Sequence, residues 1–209
     1  MKKQIRILVV DDHAVIRFAL GQAIGRMSDM VLVGATANGV EALELYRELK
    51  PDVVTMDYKL TGMDGIECTA LLRGEFPDAR VLLLSIYEGS EDIWRALQAG
   101  AMGYASKSVD INEIIEAIRS LAKGIQWFSP GVAEKLAARK STEALSPREL
   151  DVMREIVAGR SNKEIMDALK LAEPTVKHYI TNIFSKLKVS DRAQAITTAI
   201  QRGIIHIDP

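Results

Sequence analysis

Cysteine is nearly absent from this chain: Cys68 is the one such residue in 209. A lone cysteine excludes an internal disulfide, and its place in an apolar helical pattern suits a small core filler. Long apolar runs are missing too. No stretch approaches the roughly 18 residues of a membrane span, so no membrane partner is expected. Lys2, Lys3 and the run Ile5 to Val10 resemble a secretory leader only briefly, because Asp11-Asp12 ends the run. There is no Pro/Gly/Ser-rich tract, low-complexity segment or repeat, which excludes a solenoid. His13, His178 and His206 are isolated in sequence, so no histidine-based metal site is read; His13 is expected to be a solvent-facing helix-start residue. A cytoplasmic protein with ordinary cores is the expectation.

What is present divides in two. Residues 1–124 carry 14 basic and 18 acidic side chains, and residues 145–209 carry 10 and 8. The acidic front and mildly basic tail hint at an anionic partner for the tail. In the front, short β-rich runs alternate with helical patterns. The strands are Ile5 to Val10, Met30 to Val33, Asp52 to Met56, Val81 to Leu84 and Gly103 to Ser106. Asn38 to Glu41 reads as a capping box. Ile111, Ile114, Ile115, Ile118 and Leu121 form an amphipathic stripe at helical spacing. Five alternations predict an α/β doubly wound, five-stranded parallel sheet with helices on both faces.

A parallel sheet puts all strand C-termini on one rim. Asp11, Asp12, Asp57, Ser85 and Lys107 sit at those ends. Carboxylates brought together repel unless a cation or protons intervene. Asp12, Asp57 and the backbone carbonyl of Lys59 are candidate Mg²⁺ ligands, with Asp11 acting through a metal-bound water. Asp57 is then a nucleophile toward a metal-bound phosphoryl group. Lys107 supplies a point charge for a phosphoryl oxygen, and Ser85 a hydrogen bond.

Leu-Val-Val-Asp11-Asp12, Met56-Asp57, Gly62-Met63-Asp64-Gly65, Leu84-Ser85 and Gly103-Tyr104 through Lys107 resemble the receiver domain of two-component response regulators. The resemblance implies a flavodoxin-like fold over 1–124, phosphoryl transfer from a sensor histidine kinase to Asp57 with Mg²⁺, and a switch formed by Ser85 and Tyr104. One departure is Thr61, where the family usually has proline; proline would stiffen the loop.

Residues 125–144 are read as a linker, within which Gly131 to Ala138 suits one or two helical turns. From 145 to 209 no strand pattern remains. Ser146-Pro147-Arg148-Glu149 and Ser161-Asn162-Lys163-Glu164 are capping boxes. A third helix is expected from about Thr175 or Val176, and a fourth capped by Ser190, with Ala193, Ala195, Ile196, Ala199 and Ile200 as candidate buried positions. In the third helix Val176, Ile180, Ile183, Phe184 and Leu187 form an apolar stripe, and His178, Thr181, Asn182 and Ser185 lie opposite. Lys177 and Lys188 flank that polar face, and no acid occurs between Thr175 and Val189. Such a face suits the major groove of double-stranded DNA, so an all-α, four-helix unit with a helix-turn-helix is expected.

Leu145-Ser-Pro-Arg-Glu149, Asn162-Lys-Glu-Ile165, Thr175-Val-Lys177 and Lys186 through Ala195 resemble a LuxR-type helix-turn-helix, as in the NarL/FixJ response regulators. By that resemblance Lys177, His178 and Thr181 face the groove, and Asn162 and Lys163 lie near the DNA backbone. It also implies a homodimer using the first and fifth receiver helices or the last helix. Ala172 stands where the family usually has a Ser cap. A metal-dependent aspartyl-phosphate phosphatase is the enzyme alternative, and Lys59 stands where such enzymes need a second Asp. A regulator with a vestigial pocket is the third reading.

Overall fold

The computed structural model describes residues 4–140 and 143–207. The chain divides into two compact units, residues 1–87 with 93–133, and residues 88–92 with 134–209. In chain order the elements up to residue 128 are β1 (Ile5–Val10), α1 (Ala14–Gly25), β2 (Met30–Thr36), α2 (Gly39–Leu49), β3 (Val53–Asp57), α3 (Gly65–Glu75), β4 (Val81–Ser85), α4 (Ser90–Gln98), β5 (Gly103–Ser106), α5 (Ile111–Ala122) and β6 (Trp127–Phe128), all in the first unit except the start of α4. All strand pairs are parallel, in the order β2-β1-β3-β4-β5-β6.

The sheet therefore has six strands rather than the expected five. β6 lies in the stretch read as a linker, which also contains all of α6 (Val132–Lys140); Ser141 and Thr142 fall outside the described residues. Trp127 and Phe128 pair with Gly103 and Tyr104. The edge of β5 offers unpaired backbone groups, and a short segment satisfies them. Two residues are too few to give a period-two signal.

Consecutive residues Ile7, Leu8, Val9 and Val10 are all buried, which requires cover on both faces of the sheet. Ile7 and Val9 join Leu20 and Ile24 of α1 and Ile114, Ile115, Ile118 and Leu121 of α5 in one core. Burying each of those side chains contributes about 1.5–3 kcal/mol, so the stripe on α5 is what holds that layer. On β1, the intervening residues Leu8 and Val10 belong to the opposite face. Cys68 is buried and its Sγ lies 3.3 Å from the Gly39 carbonyl oxygen. Burial pushes its thiol up to about 12, which suits a core filler and not a reactive thiol.

Asn38 caps α2 by accepting from the N–H groups of Val40 and Glu41. The expected capping box is half made, because the Glu41 carboxylate instead accepts from the Thr36 hydroxyl. That is possible because β2 extends to Thr36, past the expected end near Gly34.

The second unit contains α7 (Pro147–Val157), α8 (Asn162–Leu169), α9 (Glu173–Leu187) and α10 (Arg192–Gln201). Both predicted capping boxes form, Ser146 with Glu149 and Ser161 with Glu164. Glu149 also takes Lys186 Nζ at 2.7 Å, tying α7 to α9. Burial alone would raise its carboxyl, but the Lys186 and Ser146 donors hold it below the usual range. Val152, Ile156, Ile165, Val176, Ile183 and Leu187 are in the core. Asp191, not Ser190, caps α10, accepting from the Gln194 N–H. Of its candidate buried positions, Ala195 and Ala199 are buried, but Ala193 and Ile200 are exposed. A short helix of small residues shows too little hydrophobic contrast to orient itself from sequence.

Candidate functional site

The register of the sheet builds the site. Val10 is level with Met56, so Asp11 follows β1 beside Asp57 at the end of β3. Asp57 is level with Leu84, and Ser85 with Ser106, so Ser85 and Lys107 come next along the same rim. The strand order reverses between β1 and β3, where an open α/β sheet forms its crevice.

The predicted residues meet there. Lys107 Nζ lies 2.8 Å from Asp11 Oδ2 and 2.7 Å from Asp57 Oδ2. Asp11 is fully buried and Asp57 is 3% exposed. Burial pushes the Asp57 carboxyl up to about 6; the Lys107 hydrogen bond opposes this and Asp11 adds to it. The Lys59 backbone N–H points at Asp57 Oδ1 from 3.3 Å. Ser85 Oγ accepts from the Tyr87 N–H at 2.9 Å. Tyr104 is buried, and its hydroxyl donates to the Tyr87 carbonyl at 2.5 Å, so both switch candidates engage the segment after β4.

Two groups at this rim were not legible in the sequence. His13 is exposed as expected, yet its Nδ1 turns back to lie 2.8 Å from Asp12 Oδ1. One ligand atom from each of Asp11, Asp12, His13 and Asp57 lies within 4.8 Å of the others, a cluster that can hold a metal ion. The Thr61 hydroxyl donates to Asp12 Oδ2 at 3.1 Å. Adjacency to the acidic pair was the signal available for His13; its direction depended on how α1 leaves β1.

Gly65 holds the geometry together. Its N–H donates to the Tyr58 carbonyl at 3.0 Å. A Cβ there would stand 1.8 Å from the Asp57 carbonyl oxygen. The start of α3 thus packs backbone to backbone against the strand end that carries Asp57.

The second candidate surface is on α8 and α9. Three residues join them, and Lys170 takes a left-handed conformation (φ 53°) to make the turn. α9 begins at Glu173 rather than near Thr175, with Pro174 in its first turn and no side-chain cap from Ala172. Proline at this position gives up only an amide that the helix leaves unpaired. Lys177, His178 and Thr181 are exposed on one face, with Asn182 partly so; Lys163 and Lys188 are exposed and Asn162 is half-buried. Because the helix starts early, an acid does join this face: Glu173 pairs with Lys177 Nζ at 2.7 Å. Asn182 Nδ2 lies 3.0 Å from His178 Nε2, and the Thr181 hydroxyl donates to the Lys177 carbonyl.

A parallel sheet with this acidic rim, joined in one chain to a helix-turn-helix unit, defines a DNA-binding response regulator. Residues 7–119 match the response regulator receiver domain family, and residues 143–199 match the bacterial regulatory proteins of the luxR family. The chain belongs to the two-component response regulators with a LuxR-type helix-turn-helix, and is a transcription regulator controlled by phosphorylation rather than an enzyme. Among its relatives is the response regulator protein VraR of Staphylococcus aureus, 36% identical over 206 residues and covering 96% of this chain and 99% of VraR. The crystal structure of ChrA, a response regulator of a heme-sensing two-component system, is 33% identical, with a TM-score of 0.57 over 97% of this chain and 99% of that one. RcsB from Salmonella enterica serovar Typhimurium, solved bound to a promoter with the phosphomimetic BeF3⁻, shares the fold: 20% identity and a TM-score of 0.72 over 94% of this chain and 98% of RcsB.

Proposed function

We propose that Asp57 is the phosphoryl acceptor, that Mg²⁺ is held by Asp12 and Asp57 with the Lys59 carbonyl, and that Asp11 acts through a metal-bound water. The carrying observation is the convergence of Asp11, Asp57 and Lys107 within 2.8 Å contacts at the crevice. The cluster offers carboxylate oxygens, which suit a hard divalent cation. When bound, Mg²⁺ supplies charge neutralisation for a phosphoryl donor. An Asp57 carboxylate oxygen bonds to phosphorus as the bond to the kinase's phosphohistidine nitrogen breaks, and that nitrogen keeps the electron pair. Lys107 then moves from the carboxylates to a phosphoryl oxygen. Ser85 turns its hydroxyl to another phosphoryl oxygen, and Tyr104 responds through the shared Tyr87 segment.

The output is binding to double-stranded DNA by a homodimer in the cytoplasm. A sensor histidine kinase is the donor. Val15 and Phe18 on α1 are exposed, and Val15 lines a hollow of about 180 Å³ together with Ile16, Ala19, Val109, Ile111, Ile114 and Lys107 among others, which supports α1 and α5 as a protein-binding face. The groove-facing set is Lys177, His178, Thr181 and Asn182, with Asn162, Lys163 and Lys188 toward the backbone of the DNA.

Acetyl phosphate with Mg²⁺ is expected to add one phosphoryl mass to the wild type and none to Asp57→Asn. An unmodified wild type would favour a regulator with a vestigial pocket. For the DNA face, Lys177→Ala is expected to weaken operator binding and reduce the salt slope by about 1. Its ammonium is held by Glu173, an exposed pair of small worth that phosphate can outcompete. Unchanged affinity and slope would remove Lys177 from the contact set.

A further inference from the structure

We infer that Thr61 is a positioning residue for the metal site: its hydroxyl fixes which oxygen of Asp12 faces the cation. This rests on the reading of Asp12 as a metal ligand. The three acids of the rim are held very differently. The side chains of Asp11 and Asp57 are 1% and 5% exposed and share Lys107. The Asp12 side chain is 25% exposed. Its Oδ1 is buried, but the ion pairs of Lys107 go to the other two acids.

Its two oxygens are divided between two neighbours. Oδ2 accepts from the Thr61 hydroxyl at 3.1 Å, across 49 residues of sequence. Oδ1 lies 2.8 Å from His13 Nδ1. That same nitrogen is 3.4 Å from Asp11 Oδ1 and 3.8 Å from Asp57 Oδ2. Oδ1 therefore faces the acidic cluster and Oδ2 faces the loop. With Oδ2 committed to Thr61, Asp12 presents one oxygen to a cation in a preset orientation. A hydroxyl donor of this kind lowers the ordering cost of a mobile carboxylate and spaces the ligands for an ion that demands near-ideal geometry.

The loop is shaped for this contact. Gly62 follows with φ +89° and open space around it, so the chain turns immediately after Thr61. The same hydrogen bond ties the β3–α3 loop to the residues following β1. Proline at position 61 would stiffen the loop but offers no donor. Here a side-chain bond takes over part of that restraint and places it on a ligand.

The test uses the full-length protein and MgCl₂ alone. Mg²⁺ affinity is measured by calorimetry for the wild type, Thr61→Val and Thr61→Ser. Valine keeps the shape and removes the donor, while serine keeps the donor. Removing a group that orients a ligand weakens metal binding by about 10–100-fold, so Thr61→Val is expected at the lower end, about tenfold weaker. Thr61→Ser is expected to bind as the wild type does. A second readout needs no metal: in EDTA, amide exchange across residues 59–63 is expected to quicken in Thr61→Val and not in Thr61→Ser. Wild-type Mg²⁺ affinity in Thr61→Val overturns the proposal, as does serine failing to rescue. A wild type that binds no Mg²⁺ overturns the metal reading and this proposal together. Unchanged exchange in EDTA overturns the Thr61 link even where Mg²⁺ binds.

Discussion

Gly65→Ala is expected to destabilise the receiver unit by about 3 kcal/mol and to abolish phosphorylation of Asp57. The added methyl would sit 1.8 Å from the Asp57 carbonyl oxygen, 2.9 Å from its carbonyl carbon and 3.1 Å from the Tyr58 carbonyl oxygen. All three are backbone atoms, so no side-chain rotation relieves the clash. Either α3 moves outward, breaking the Gly65 N–H bond to Tyr58, or the end of β3 moves inward and displaces Asp57 from Lys107. The effect is specific to that close approach. Gly74 lies in the same helix with open space around it, and Gly74→Ala is expected to be neutral or to stabilise by about 0.5–1 kcal/mol. Denaturant titration of the receiver transition, with phosphoryl incorporation measured alongside, separates the two. A Gly65→Ala protein as stable and as readily phosphorylated as Gly74→Ala would refute the account of this contact.

Asp57→Asn is expected to stabilise the metal-free protein at pH 8. The Asp57 carboxyl is pushed up from 3.8 to about 6, first by burial. Its folded-state value is therefore above its unfolded one. The folded state binds the proton more tightly, so this group favours folding at pH below about 4 and the contribution is lost as pH rises through about 6. At pH 8 the buried charge costs up to about 3 kcal/mol, from roughly 1.4 kcal/mol per pKa unit. Asparagine keeps the shape without the charge, and Lys107 keeps Asp11 at 2.8 Å. The stability advantage of Asp57→Asn should shrink as pH falls through 6 and vanish near 4. Thermal melts from pH 4 to 8 in EDTA measure it; an advantage independent of pH would show that Asp57 titrates near its ordinary value. Millimolar Mg²⁺ should close the gap by raising the wild type. In the function proposed above, the same cost would favour metal binding, because a carboxylate destabilised by burial gains most from a cation.

Much of this protein could be read in order along the chain. Each strand of the receiver sheet except β6 carried enough β-rich residues to be seen. The rim residues that follow β1, β3, β4 and β5 were then known without coordinates, because parallel strands share a rim; β2, which runs on to Thr36, was not placed so closely. The capping boxes at Ser146 and Ser161 were equally local, since every group involved lies within four residues. The apolar stripes of α5 and α9 repeat at helical spacing, and both pack on their cores, with Ile111, Ile180 and Phe184 only partly buried.

Other features depended on atoms far apart in sequence. The start of α9 at Glu173 escaped the pattern because Ala172 gives no capping signal, and with it went the Glu173–Lys177 pair. β6 was invisible because two residues form a strand only where an open sheet edge is waiting. Lys186 was one cation among several until the fold placed it on the buried Glu149. His13 and Thr61 were isolated polar residues until two loops met over Asp12. Sequence by itself determined which residues lie at the rim ends of β1, β3, β4 and β5, because periodicity and local hydrogen bonding are short-range. Only the tertiary structure decided which oxygen of Asp12 faces the cluster and which lysine is committed to the core, because those choices are made by distances across strands and helices.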